Sequence, residues 1–233
     1  MVVNETDLIT IFARLYHAAD RGAWQSIRRH GLLSTSWLLD LYQIQGEQRI
    51  AFESQRRRKS MTLAKNGYDD VALRDQNPMT DEALNRCLVD GMTPRQWYES
   101  LNGKVFFWTS KRRLQGLLAA KATRETTQLV LTVDTRSLVS GHRDRILLSG
   151  LNSGSTIRKP LPRGSRTFLP ISDFPYEERR KSRSASDALV ELVVAGGVPD
   201  LMDHLIAAHE VTPGQSTDIW RRPGSDPGEG PLL

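Results

Sequence analysis

The segment Ala188-Leu189-Val190-Glu191-Leu192-Val193-Val194 constrains the fold more than any other stretch of the chain. It is apolar but for one carboxylate, too short for a buried helix and closed by Gly196-Gly197 and Pro199, so it predicts a strand inside a sheet. Glutamate is depleted in strands and is almost never fully buried without a partner, which leaves two readings of Glu191. Either the strand lies at an edge, with Glu191 facing solvent or an arginine, or it carries a carboxylate into a cleft. With a period of two, Glu191 shares a face with Leu189 and Val193.

The rest of the chain mixes helices and strands. A helix over about residues 5–14 leads into a short strand, Arg14 to Ala19. Asp20-Arg21-Gly22 then turns the chain into a helix from Trp24 to His30, stopped by Gly31. Ser34-Thr35-Ser36 caps an apolar helical pattern from Trp37 to Ile44, and Glu47 to Lys59 continues as a helix ending in Gln55-Arg56-Arg57-Arg58-Lys59. Residues 60–104 read as mostly helical, broken at Asn66-Gly67, Asn77-Pro78 and Gly91 to Pro94. Val105-Phe106-Phe107-Trp108 is an aromatic strand ending at the cap Thr109-Ser110, and a helix from Lys111 to Thr123 follows. Thr127 to Val133, alternating and β-branched, is a strand, and so is Arg145 to Ser149. Leu201 to Ala208 reads as a helix, and the Pro-, Gly-, Ser- and Asp-rich stretch 212–233 reads as disordered. The fold class is α+β, with one domain over residues 1–211.

Composition narrows the function. With 233 residues, 39% of them hydrophobic, the chain can bury a core large enough for an enzyme. Nothing approaches the ~18 consecutive apolar residues of a membrane span, and the N-terminus lacks a signal-peptide layout, so the expectation is a cytoplasmic protein with no membrane partner. The single cysteine, Cys87, excludes an internal disulfide framework and a cysteine-rich zinc site, and its amphipathic setting marks a buried thiol. Arginine supplies 25 of the 32 basic residues, the planar donor that suits phosphate and carboxylate. The net charge of +5 has a location: between residues 157 and 185, eight basic residues stand against three acidic ones. Phe168, Phe174 and Tyr176 are interleaved with them, a composition that suits a nucleic acid strand, or else a solvated loop.

Other residues also have two readings. His17 on its strand is a satisfied histidine or a site residue. The run Arg56-Arg57-Arg58 is a helix end matched to the helix dipole, or it holds a phosphate. Arg74, beside Asp75 and Gln76, is a structural salt bridge or a pyrophosphate contact, and Asn152 to Thr156 is a turn or a loop whose amides approach a phosphate.

Tyr16-His17, Ile27 and Gly31-Leu32-Leu33 together reproduce a histidine strand, a short helix and a Gly-Leu-Leu exit. Gly46 to Ile50 with Arg56 to Arg58, Val105 to Ser110, Thr127 to Asp134 and Ala188 to Val193 with Val198-Pro199 follow in order. This series resembles the DNA-modifying ADP-ribosyltransferase toxin family DarT and, more broadly, the NAD-dependent ADP-ribosyltransferases, over residues 15–201. Where the family has Thr and Asn two and six residues after the histidine, this chain has Ala19 and Ala23, and Trp24 takes the place of a Leu, which marks a divergent branch.

The resemblance implies a split mixed or antiparallel sheet with a helical insertion at 45–104 and an acceptor-recognition loop at 157–185. It also implies NAD as co-substrate, no metal, and DNA or RNA as acceptor, in a toxin or defence effector with an antitoxin or ADP-ribosyl hydrolase as counterpart. An acceptor on protein or a small molecule, and a non-enzymatic nucleic-acid-binding domain, are the alternatives. On the family's pattern Glu191 and Arg56 are catalytic. His17, the backbone of Ala18, and Arg57, Arg74 and Ser155 hold NAD, with Tyr16, Phe107 or Trp108 stacking on nicotinamide. Arg166, Tyr176, Arg179 and Arg180 bind the acceptor.

Overall fold

The computed structural model describes residues 4–157 and 160–231. Twelve strands occur among them: β1 (Arg14–Asp20), β2 (Leu32–Leu33), β3 (Met61–Leu63), β4 (Val71–Leu73), β5 (Lys104–Trp108), β6 (Gln128–Asp134), β7 (Ile146–Ser149), β8 (Leu169–Pro170), β9 (Glu191–Ala195), β10 (Gly197–Val198), β11 (Leu205–Thr212) and β12 (Gln215–Arg221). Eight form one sheet in the order β12-β11-β6-β1-β5-β9-β7-β8, every neighbouring pair antiparallel. The fold is α+β, as the alternation of periods predicts.

One seam of this sheet is weak. β1 pairs with β6 along its whole length, and β5 with β9 along its whole length. Between β1 and β5, by contrast, the register holds one pair, Tyr16 opposite Trp108. A continued ladder would bring Ala18 opposite Phe106. There the Phe106 carbonyl instead accepts from His17 Nδ1 at 2.8 Å, and residues of both strands line a cleft.

The main core fills the face carrying Leu15, Phe107, Leu131, Leu192 and Val194, closed by Leu8, Ile27, Leu138 and Leu201 from helices. β10 returns against β2 with Gly197 opposite Leu33. That approach depends on Gly31, held at φ +76°, where an added Cβ would lie 2.4 Å from the Pro199 backbone.

Three expectations are overturned here. Residues 45–104 are not mostly helical: the helix beginning at Gly46 ends at Glu53, and a hairpin of β3 and β4 follows before the helices Asp81–Asn85 and Pro94–Asn102. Strands of three residues are too short to display a period, and this hairpin is held by packing Leu63, Val71 and Leu73 against Leu39, Tyr42 and Phe52. The helix expected from Leu201 to Ala208 stops at His204, and β11 starts at Leu205.

The stretch 212–231 is ordered rather than disordered. β12 closes a hairpin on β11 through the turn at Gly214 (φ +75°), Trp220 meets Trp24, and Glu229 bonds to Arg14. Turn residues in this tail flank β-branched and aromatic positions, Thr217, Ile219 and Trp220, that have a sheet edge to join.

Candidate functional site

The cleft encloses about 870 Å³ and is lined by residues of β1, β5 and β9. Glu191 opens β9, an interior strand, with Trp108 of β5 opposite on one side and Ser149 of β7 on the other. It is 4% exposed and lines the cleft, so the edge-strand reading fails. It shares a face with Val193, while Leu192 and Val194 enter the main core; Leu189, which precedes the strand, lies in that core as well. The Ser153 N–H points at both carboxylate oxygens, at 3.2 and 3.3 Å. Burial pushes the Glu191 carboxyl up to about 7, against the pull of Ser153 and of the Arg113 and Arg163 charges.

His17 lies on the other wall. Burial pushes its imidazole down to about 4, so it is neutral at neutral pH. Its Nδ1 meets a carbonyl and must carry the proton, which leaves Nε2 as an acceptor. Ala18, beside it, also lines the cleft, as do Trp108 and Ser155.

Arg57 and Arg74 meet on the cleft floor. Arg57 is 8% exposed and donates through Nε to the Arg74 carbonyl at 3.0 Å and through Nη1 to Asn102 Oδ1 at 2.9 Å; burial lowers it to about 10. The Arg74 guanidinium bonds to the Gln128 side-chain oxygen, and burial lowers it too, against the pull of Asp20 and Asp75. Two half-buried or buried cations held by neutral oxygens favour an anion between the walls.

Several expected site residues lie elsewhere. Arg56 is outside the cleft lining and donates to the Asn77 carbonyl at 3.2 Å. Phe107 is fully buried in the main core because it alternates with Phe106 and Trp108, and those two line the cleft. Tyr16 is buried among Leu114, Val130 and Val211, its phenol pushed up to about 12, and offers no open ring face. Tyr176 is buried edge-on against Phe12. Arg179 is tied to the Ala188 and Gly150 carbonyls at 2.7 and 2.5 Å, which makes it a clamp on the approach to β9. Arg166 and Arg180 are exposed and outside the cleft lining, and Arg158 and Lys159 lie outside the described residues.

The aromatic residues expected to stack on bases are occupied as well. Phe174 is 2% exposed, and Phe168 stacks on Trp97 with centroids 5.8 Å apart.

Sequence reasoning missed Arg113. Lys111, Arg112 and Arg113 open the helix Lys111–Leu118, where the dipole disfavours cations. That misfit is the signal that could have found it: Arg112 and Arg113 both reach Asp187 Oδ1 at 2.6 Å, and both line the cleft beside Glu191. A second cavity of about 590 Å³ adjoins the first, sharing Arg113, Asn152, Ser155 and Ile157 and adding Arg183.

A cluster of ligand-type side chains stands apart from the cleft. His142 Nε2 lies 2.8 Å from Asp200 Oδ1, and His204 Nε2 lies 3.4 Å from Asp200 Oδ2 and 3.2 Å from His142 Nε2. Arg145 Nη2 is 2.6 Å from His142 Nδ1. A guanidinium only donates, so Nδ1 accepts and the proton sits on Nε2, aimed at Asp200. A metal-binding histidine has the opposite arrangement, with the outer nitrogen donating. The cluster is therefore a hydrogen-bonded clamp between the helices Thr135–His142 and Leu201–His204.

Among the described residues no helix is long and apolar enough to cross a membrane. No curated protein matches the chain. A family described as "Family of unknown function (DUF7002)" matches residues 13–205, a span from the start of β1 to the start of β11 that takes in both cleft walls, and the chain belongs to that family.

Proposed function

We propose that the protein is an NAD-dependent mono-ADP-ribosyltransferase of the split-sheet kind, with nucleic acid as acceptor and a toxin or defence role that calls for an antitoxin or ADP-ribosyl hydrolase as counterpart. The observation that carries the reading is that Glu191 and His17, on the two strands that flank β5, line one cleft at the single-pair seam of the sheet. Breaking the nicotinamide–ribose bond passes through an oxocarbenium-like centre, which a fixed carboxylate in a partly dry site stabilises. Glu191 is poised to ionise when a cation arrives: the positive nicotinamide ribosyl group supplies the charge that burial withholds.

Neutral His17, with Nε2 as acceptor, suits a ribose hydroxyl, and Arg57 and Arg74 suit the pyrophosphate. Trp108 and Phe106 offer flat faces for nicotinamide. The acceptor would enter by the second cavity, which shares the Asn152–Ser155 turn with the cleft and where the exposed Arg183 favours a phosphate-bearing strand. Ile157 and Leu161 at the same rim, 65% and 43% exposed, favour a protein acceptor as the second reading.

The test is incubation of the purified chain with NAD labelled in the adenylate, in the presence of DNA, RNA or cell lysate. Nicotinamide release and label on nucleic acid are expected from the wild type, with a loss of about a hundredfold or more in Glu191→Gln. Release that Glu191→Gln leaves unchanged would sink the enzyme reading, and label confined to protein would move the acceptor to the second one.

A further inference from the structure

Arg163 belongs by sequence to the basic loop, yet it is 2% exposed. Its backbone is stitched to the segment around Cys87: its N–H donates to the Cys87 carbonyl at 2.8 Å, and its carbonyl accepts from Val89 at 2.8 Å. The guanidinium reaches back across the loop. Nη1 donates to the Leu161 carbonyl at 2.9 Å and touches Cys87 Sγ at 3.4 Å, and Nη2 donates to the carbonyls of Asn152, at 3.2 Å, and Ser155. Those last two acceptors bracket Ser153, the residue whose N–H faces both oxygens of Glu191.

A guanidinium in such a place needs a reason. Burying a charge costs several kcal/mol unless its donors and its field are both answered. The donors here meet carbonyls and a thiol, and Nε is buried without a partner, so neutral groups answer only part of the cost. Glu191 has the complementary difficulty. Trp108 and Ser149 flank it in the sheet, Ser153 caps it, and the two cations whose charge it feels are Arg113 and Arg163. Arg113 is committed to Asp187 at 2.6 Å, whereas the bonds of Arg163 go to neutral groups.

We propose that Arg163 is the positioning residue for Glu191: its planar fork fixes the turn that presents the Ser153 amide, and its charge supplies the positive potential in which the carboxylate ionises. The effect on turnover rests on the transferase reading above, while the effect on Glu191 itself does not. A fork that holds two carbonyls at once is not reproduced by an ammonium, so Arg163→Lys keeps the potential and loses the geometry.

The experiment is a carboxyl ¹³C titration of the full chain labelled in glutamate, with the Glu191 resonance identified by its loss in Glu191→Gln. Arg163→Met is expected to raise the Glu191 midpoint by about one pH unit, a tenfold change in ionisation, and Arg163→Lys by less. The acid limb of the nicotinamide-release profile should move by the same amount with KM for NAD unchanged. A folded Arg163→Met with the midpoint unmoved overturns the proposal. Should that variant not fold, Arg163→Lys decides: a raised midpoint supports the proposal, an unmoved one overturns it. A shifted midpoint in a protein that releases no nicotinamide would leave the role of Arg163 standing and remove the transferase reading.

Discussion

The two walls of the cleft treat their ionisable groups in opposite ways. On β9 burial lifts Glu191 to about 7, and on β1 it drops His17 to about 4. The cause is the same, since a dry site disfavours whichever form is charged. The difference lies in the neighbours. His17 has one group that favours its charged form, the Phe106 carbonyl met by Nδ1, while the like-signed Arg74 works with burial, so the carbonyl alone does not restore the charge near neutrality. Glu191 has an amide and two cations pulling the other way, which leaves it within reach of ionisation at the pH of a cell. One wall is thus fixed in its charge and the other is responsive, and the pH behaviour of the protein should belong to Glu191.

The largest test of that contrast needs no substrate. With an ordinary value of 4.5 in the unfolded chain and about 7 in the folded one, Glu191 makes the folded state bind more protons between those limits. Stability therefore falls as pH rises from 4.5 to 7 and stays lowered above, by on the order of 3 kcal/mol if the whole shift is expressed. Glu191→Gln removes the group, so denaturation should find it more stable than the wild type at pH 8 and close to it at pH 4.5. A stability difference independent of pH would break the contrast. His17 works with the other sign, its contribution being lost as pH falls from 6.5 towards 4 in both proteins alike.

The next effect is smaller and sharpens the other wall. His17→Ala should weaken NAD binding by about tenfold, the worth of one or two hydrogen bonds to a neutral acceptor, and show mainly in KM. Because His17 does not titrate near neutrality, the ratio of mutant to wild-type activity should stay flat between pH 6 and 8. A ratio that varies over this range would assign the pH dependence to the histidine wall instead.

The walls are legible in the sequence because each rests on a local pattern: Glu191 inside an apolar run, His17 beside a capped turn, and Val105 to Trp108 as an aromatic strand. What joins them is not. The seam depends on β1 and β5 sharing one register pair, which no window of sequence displays. Phe107 and Phe106 cannot be told apart by pattern, because the choice of face rests on the register with β9, where Phe107 stands opposite Leu192 of the core. Arg163 and Arg179 are indistinguishable by composition from the exposed loop arginines, and the carbonyls they hold lie up to 29 residues away. β12 is hidden by turn residues whose meaning depends on having β11 as a partner.

The same division between fixed and responsive groups runs through the loop between residues 157 and 185, and it sets the smallest expected effect. Arg163 and Arg179 are clamps, whereas Arg180, Lys181 and Arg183 are exposed, with Arg183 beside the second cavity. Counterion release counts only cations that can reach phosphates, so neutralising the three exposed residues together should shallow the salt dependence of DNA binding, by up to about 0.9 in slope for each phosphate no longer neutralised. Thermal stability should hardly change. Arg179→Ala should do the reverse, leaving the slope as it is and lowering the melting temperature, because it frees the Ala188 and Gly150 carbonyls beside the glutamate strand. If the triple variant keeps the wild-type slope, the loop's charge is not an acceptor surface, and the protein acceptor suggested by Ile157 and Leu161 becomes the better reading.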